Sequence, residues 1–175
     1  MTLIIGIDPG SRVTGYGVIA VAGSRQSYMA SGCIKTAYKS ELPQRLEEIF
    51  SGVSQVLEEY SPDELAIERV FVGKSAESAL KLGHARGVAM LAATVKGIPI
   101  FEYEARKIKQ AVVGNGAASK NQVQYMVKKL LGLTGYPQKD AADALAIALT
   151  HTNTQSTIER MGGCPRTFRR GRLID

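Results

Sequence analysis

Residues 6–19 read GIDPGSRVTGYGVI, in which an apolar run ends on a single carboxylate, Asp8, with Gly6, Gly10, Gly15 and Gly17 around it. LIIGID, residues 3–8, carries apolar side chains on both alternation sets, the pattern of a strand buried on both faces. An acid at the end of such a strand needs a reason. TGYGVIAVAG (14–23) and SYMASGCIKT (27–36) follow with β-branched and aromatic residues and glycine-containing turns, which predicts an antiparallel meander of three strands.

The period then changes. Leu42, Leu46, Ile49, Val53, Val56, Leu57 and Tyr60 form the stripe of an amphipathic helix, and SPDE ends it. DELAIERVF predicts a second central strand. SAESALKLGHARGVAMLAATV predicts a helix capped by Ser75, with Glu77 and Ser78 in its first turn. PIFEYE makes a fifth strand, and two helical stretches lead to DAADALAIALTHT. The expected class is α/β: a five-stranded mixed sheet, three antiparallel strands and then parallel additions, flanked by helices.

Strands joined by a crossover helix run parallel, so LIIGID and ELAIERV share a carboxyl edge. As neighbours they lie about 4.8 Å apart. Asp8 ends the first and Glu68 the second, so topology alone joins two acids distant in sequence. In KDAADALAIAL, Asp140 and Asp143 fall three apart on one helix face. Helix capping explains one such acid but weakly explains two that open an otherwise apolar helix. A cluster of Asp8, Glu68, Asp140 and Asp143 without cations raises its own pKa values and destabilises the fold. Alternation turns Arg69 away from Glu68, and no other Lys or Arg occupies these strand ends. Oxygen ligands without paired His or Cys select Mg²⁺ or Mn²⁺ over zinc, and such ions activate water for in-line displacement at phosphorus.

Charge distribution points the same way. The chain carries a net charge of +6. From Ala105 to Lys139 there are seven bases, Arg106, Lys107, Lys109, Lys120, Lys128, Lys129 and Lys139, and no acid; Glu41 to Glu68 holds eight acids against Arg45 alone. One side should be basic and suited to a polyanion. Acids plus a basic flank predict a nuclease. Its 175 residues support one domain, expected over 1–157, with a basic and disordered tail at 158–175. Nothing resembles a membrane span or export signal, and Cys33 and Cys164, far apart, fit a reducing cytoplasm.

GIDPGSRVTGYGVI, AIERVF, SALKLGHARGVA, FEYEARKIKQAVVGNGAASKNQVQ and DAADALAIALTH resemble, in order and spacing, the motifs of the RuvC Holliday-junction resolvases over nearly the whole chain. The resemblance implies an RNase H-like fold, a homodimer, and Mg²⁺-dependent endonuclease action on four-way DNA junctions in recombination and repair, with Mn²⁺ able to substitute. It assigns catalysis and metal binding to Asp8, Glu68, Asp140 and Asp143, and implies RuvA and RuvB as partners. It favours base stacking by Phe71 over a core role and matches Lys109 and Lys120 to positions that handle the DNA backbone or assist catalysis, with Arg86 acting likewise; Lys74, in the loop of Phe71, is expected to contact phosphate. Ala79, Gly83 and Gly87 form a row without bulk that admits another helix, for which the resemblance indicates the twin subunit. His84 and His151 read as structural, with His151 one or two turns beyond Asp143 and so within reach of the metal edge. Three other readings compete: an actin or Hsp70-type nucleotide-binding protein, an RNA-processing nuclease of the same fold, and a junction-binding protein without catalysis.

Overall fold

The computed structural model describes residues 1–37, 40–69, 76–160, 168–169 and 172–173, without the side chains of 159 and of the last two pairs. Strands β1 (Thr2–Asp8), β2 (Val13–Ala22) and β3 (Arg25–Lys35) form the expected meander, and helix α1 (Leu42–Tyr60) leads to β4 (Glu64–Glu68). Helix α2 (Ala76–Val95) leads to β5 (Ile100–Tyr103), followed by α3 (Ala105–Val113), α4 (Lys120–Leu130) and α5 (Lys139–Arg160). The sheet order is β3-β2-β1-β4-β5, with β1–β2 and β2–β3 antiparallel and β1–β4 and β4–β5 parallel.

Alternation along β1 and β4 divides the core into two. Ile5, Ile7, Leu65 and Ile67 face α1 and α2, where Ile49, Val53, Leu57, Ala85 and Ala89 close over them. Ile4 and Ala66 face the other way, towards Leu145, Ile147 and Leu149 of α5 and Val123 and Val127 of α4. Each fully buried Ile or Leu contributes about 1.5–3 kcal/mol. The two layers also divide the charge, because the acidic segment builds α1 and the acid-free window builds α3 and α4.

Glycine decides how close α5 comes. A Cβ on Gly6 would lie 2.0 Å from the Ala144 carbonyl oxygen, and one on Gly15 would lie 2.1 Å from that of Asp140. The strands therefore meet the helix backbone to backbone, and the alanines of α5 keep that seam thin.

Helix α5 continues to Arg160, past the expected boundary at 157. Within the tail, where the sequence predicts no order, Phe168–Arg169 and Arg172–Leu173 pair as a short antiparallel ladder. The expected cap Ser75 and the tail's Cys164 lie outside the described residues.

Candidate active site

Register brings the acids together. Asp8 pairs across β1–β2 with Gly15, and the main chain of Asp140 rests on that glycine. In the parallel β1–β4 pair Ile7 stands beside Ile67, so the next residues, Asp8 and Glu68, are neighbours facing α5. Asp143 lies less than one turn further along α5. Arg86 of α2 supports this edge from behind: its Nε donates to the Glu68 carbonyl at 3.0 Å and its Nη2 pairs with Glu102. The structure thus places the guanidinium of Arg86, a residue expected to contact DNA, on the Glu68 carbonyl and Glu102. Arg69 turns to Glu102 and Glu104, away from Glu68, as alternation requires.

The electrostatics are those of a crowded anionic site. Burial first, then the charges of Asp143 and Glu68, push the Asp8 carboxyl up to about 8. Burial followed by Asp143 likewise raises Glu68, while its hydrogen bond with Asp8 and the charges of Lys120 and Lys109 offset part of that rise. Without a cation at the site, this crowding favours the protonated form of Asp8, hydrogen-bonded to Glu68.

One cation stands in the cluster that alternation did not reveal. Lys120 Nζ lies 2.7 Å from Asp143 Oδ2, with Asp143 19% exposed and Lys120 68%. The ends of β1 and β4 themselves hold no other base than Arg69 among the described residues; Lys120 arrives from the first residue of α4. Its carboxylate contacts raise the Lys120 ammonium, led by the hydrogen bond to Asp143. The sequence signal was SKNQ. Ser119 and Gln122 form a capping box that starts α4 at Lys120, where a lysine opposes the helix dipole and gains nothing locally.

The donor set fits a hard divalent cation: four carboxylates, with no imidazole or thiolate among them, at an edge whose mutual repulsion is relieved by positive charge. Among the described residues no three His, Cys, Asp or Glu side chains already stand at coordination spacing. The contacts explain it, since Asp143 is turned to Lys120 and Asp8 to Glu68. Cys33 sits beside this edge, where burial, followed by the charge of Asp140, raises its thiol.

His151 belongs elsewhere. It is fully buried on α5, about 12 Å along the axis from Asp143 at 1.5 Å per residue. Its Nε2 lies 2.7 Å from Glu64 Oε2 and its Nδ1 lies 2.7 Å from the Tyr103 hydroxyl. A carboxylate only accepts, so Nε2–H donates to Glu64, and in a neutral ring Nδ1 then accepts from the Tyr103 hydroxyl. Burial holds that phenol proton, pushing Tyr103 up to about 12. The reach of His151 to the acid edge is thereby corrected. His84, on α2, keeps a buried Nδ1 without a partner among the described residues. Phe71 and Lys74 lie outside the described residues.

The chain as a whole has relatives among known proteins. A family model described as crossover junction endodeoxyribonuclease RuvC matches residues 4–151. The chain belongs to the RuvC family. The crossover junction endodeoxyribonuclease RuvC of Saccharophagus degradans is 56% identical over 99% of this chain and 100% of its own length. That of Photorhabdus laumondii is 55% identical over 99% of both. Thermus thermophilus RuvC, solved in complex with Holliday junction substrate, superposes with a TM-score of 0.83 at 36% identity over 93% of this chain and 97% of that one. The fold is RNase H-like, and RuvC membership carries a divalent-metal nuclease with it.

Proposed function

We propose that this chain is a Mg²⁺-dependent endodeoxyribonuclease that resolves four-way DNA junctions by paired symmetric nicks, in recombination and repair, with Mn²⁺ able to replace Mg²⁺. The observation that carries the site assignment is the convergence of Asp8, Glu68, Asp140 and Asp143 beside Lys120. These four acids would hold the metal, which when bound supplies Lewis acidity and an activated water at the scissile phosphorus. Asp8 and Glu68 are oriented by β1 and β4, Asp140 and Asp143 by α5, and Arg86 keeps the Glu68 backbone in place. Lys109 and Lys120, on the acid-free side, meet DNA phosphates. Phe71 stacks on a base exposed at the junction, and Lys74 adds a phosphate contact.

Two equal cuts call for two equal sites, so the working form is a C₂ homodimer. Helix α2 supports this. Leu80, Leu91 and Val95 are exposed on it, and a Cβ on Gly83 or Gly87 would meet open space. RuvA and RuvB are proposed as partners and the cytoplasm as location; no helix among the described residues is long and apolar enough to cross a membrane. The deciding experiment offers the protein a four-way junction, a linear duplex and a structured RNA, each with Mg²⁺ and with EDTA. Paired nicks confined to the junction with Mg²⁺ are the expected result. Cleavage of the RNA alone, or cleavage in EDTA, overturns the proposal. Sedimentation of wild type against Leu80→Lys tests the dimer.

A further inference from the structure

We infer that Lys120 is the resident counter-ion of the metal-free acid cluster: its ammonium holds Asp143 until a divalent ion arrives, and is then released to the substrate side of the site. The inference rests on the metal assignment proposed above. Three observations carry it. Lys120 Nζ contacts Asp143 Oδ2 at 2.7 Å, and Asp143 has no other hydrogen-bonding or ionic partner among the described contacts. Its position is fixed from outside the cluster, by the Ser119–Gln122 capping box that starts α4, so the lysine is delivered to Asp143 by a structured element. It is also the costliest place on α4 for a positive charge, at the helix's own positive end. That cost is offset only by the acids.

The consequence is an exchange. Two cations compete for one carboxylate, and the side chain that loses is 68% exposed on a flexible four-carbon stem, free to turn outward. Helices α3 and α4 come from the acid-free window, so every other charge on them is basic. A lysine released there meets a phosphate, so metal binding and backbone engagement favour each other through one side chain. Lys109 provides the internal contrast, because it reaches Glu68 only through space and pairs with no acid among the described contacts.

Free Mn²⁺ measured by electron paramagnetic resonance, without DNA, tests this on the full chain and on Lys120→Met, Lys109→Met and Asp8→Asn. Lys120→Met should bind Mn²⁺ about fivefold more tightly than wild type, the ratio that the upper range of a half-exposed ion pair gives, while Lys109→Met changes affinity by less than about twofold. On wild type, the ¹⁵N-ammonium resonance of Lys120 should be protected from exchange in EDTA and lose that protection on saturation with Mg²⁺. Equal gains in both lysine variants, or a protected ammonium that persists in saturating Mg²⁺, overturns the counter-ion role and leaves the metal site intact, provided Asp8→Asn still weakens Mn²⁺ binding. Failure of every form to bind Mn²⁺ overturns the metal assignment and this inference with it.

Discussion

Helix α5 carries two polar clusters against the same face of the same sheet, and they are built on opposite terms. At one end Glu64, His151 and Tyr103 share two hydrogen bonds of 2.7 Å, with Phe101 packed at 4.4 Å from the imidazole, and every side chain has a partner suited to it. At the other end Asp8, Glu68, Asp140 and Asp143 crowd their charges within electrostatic reach, with one lysine paired to Asp143. A satisfied buried network stabilises and specifies packing. An unsatisfied one costs stability and is retained for chemistry.

The comparison breaks most visibly at Asp8. Asp8→Asn should lower junction cleavage on the order of 10³-fold while leaving junction binding intact, read by single-turnover nicking beside gel retardation. His151→Ala should do the reverse, costing about 3 kcal/mol of stability by stranding Glu64 and Tyr103, with activity per folded molecule retained at low temperature. Denaturant melts and active-site titration check it. Gly15→Ala forces a methyl towards the Asp140 carbonyl and should cost about 10²-fold in cleavage with little loss of junction binding, since an ångström of misplacement is enough.

Two smaller effects sharpen the contrast. A carboxyl raised from 3.8 to about 8 holds its proton more firmly folded than unfolded. Its contribution to stability is therefore complete below pH 3.8 and lost as pH climbs through 8. In EDTA the wild type should lose stability across that window, and Asp8→Asn should be more stable than wild type at pH 8 by on the order of 2 kcal/mol, seen as a higher Tm. Tyr103→Phe removes one donor to His151 and should cost about 1 kcal/mol without changing that pH slope.

Much of this was legible in the chain. The glycine-framed LIIGID strand, the change of period at Leu42 and the crossover to ELAIERV give the sheet order and so place Asp8 beside Glu68, because period and handedness act locally and survive in any context. What escaped were contacts that depend on where helices dock. Lys120 reaches Asp143 because α4 starts beside α5, and no spacing of 23 residues announces that. His151 points to Glu64 because α5 runs back along the sheet from the acid edge; a count of turns gives its distance from Asp143 but not the direction. Arg86, expected to contact DNA, bonds the Glu68 carbonyl and Glu102 because both face α2, a pairing no sequence spacing announces.

The seam between α5 and strands β1 and β2 has one more implication. Because Gly6 and Gly15 let backbone rest on backbone, the offset between the two carboxylate-bearing layers is set by main-chain atoms that have no rotamers to sample. The seam acts as a fixed gauge, so drift elsewhere in the molecule, on the acidic α1 side or at the exposed face of α2, leaves the spacing of the acids untouched.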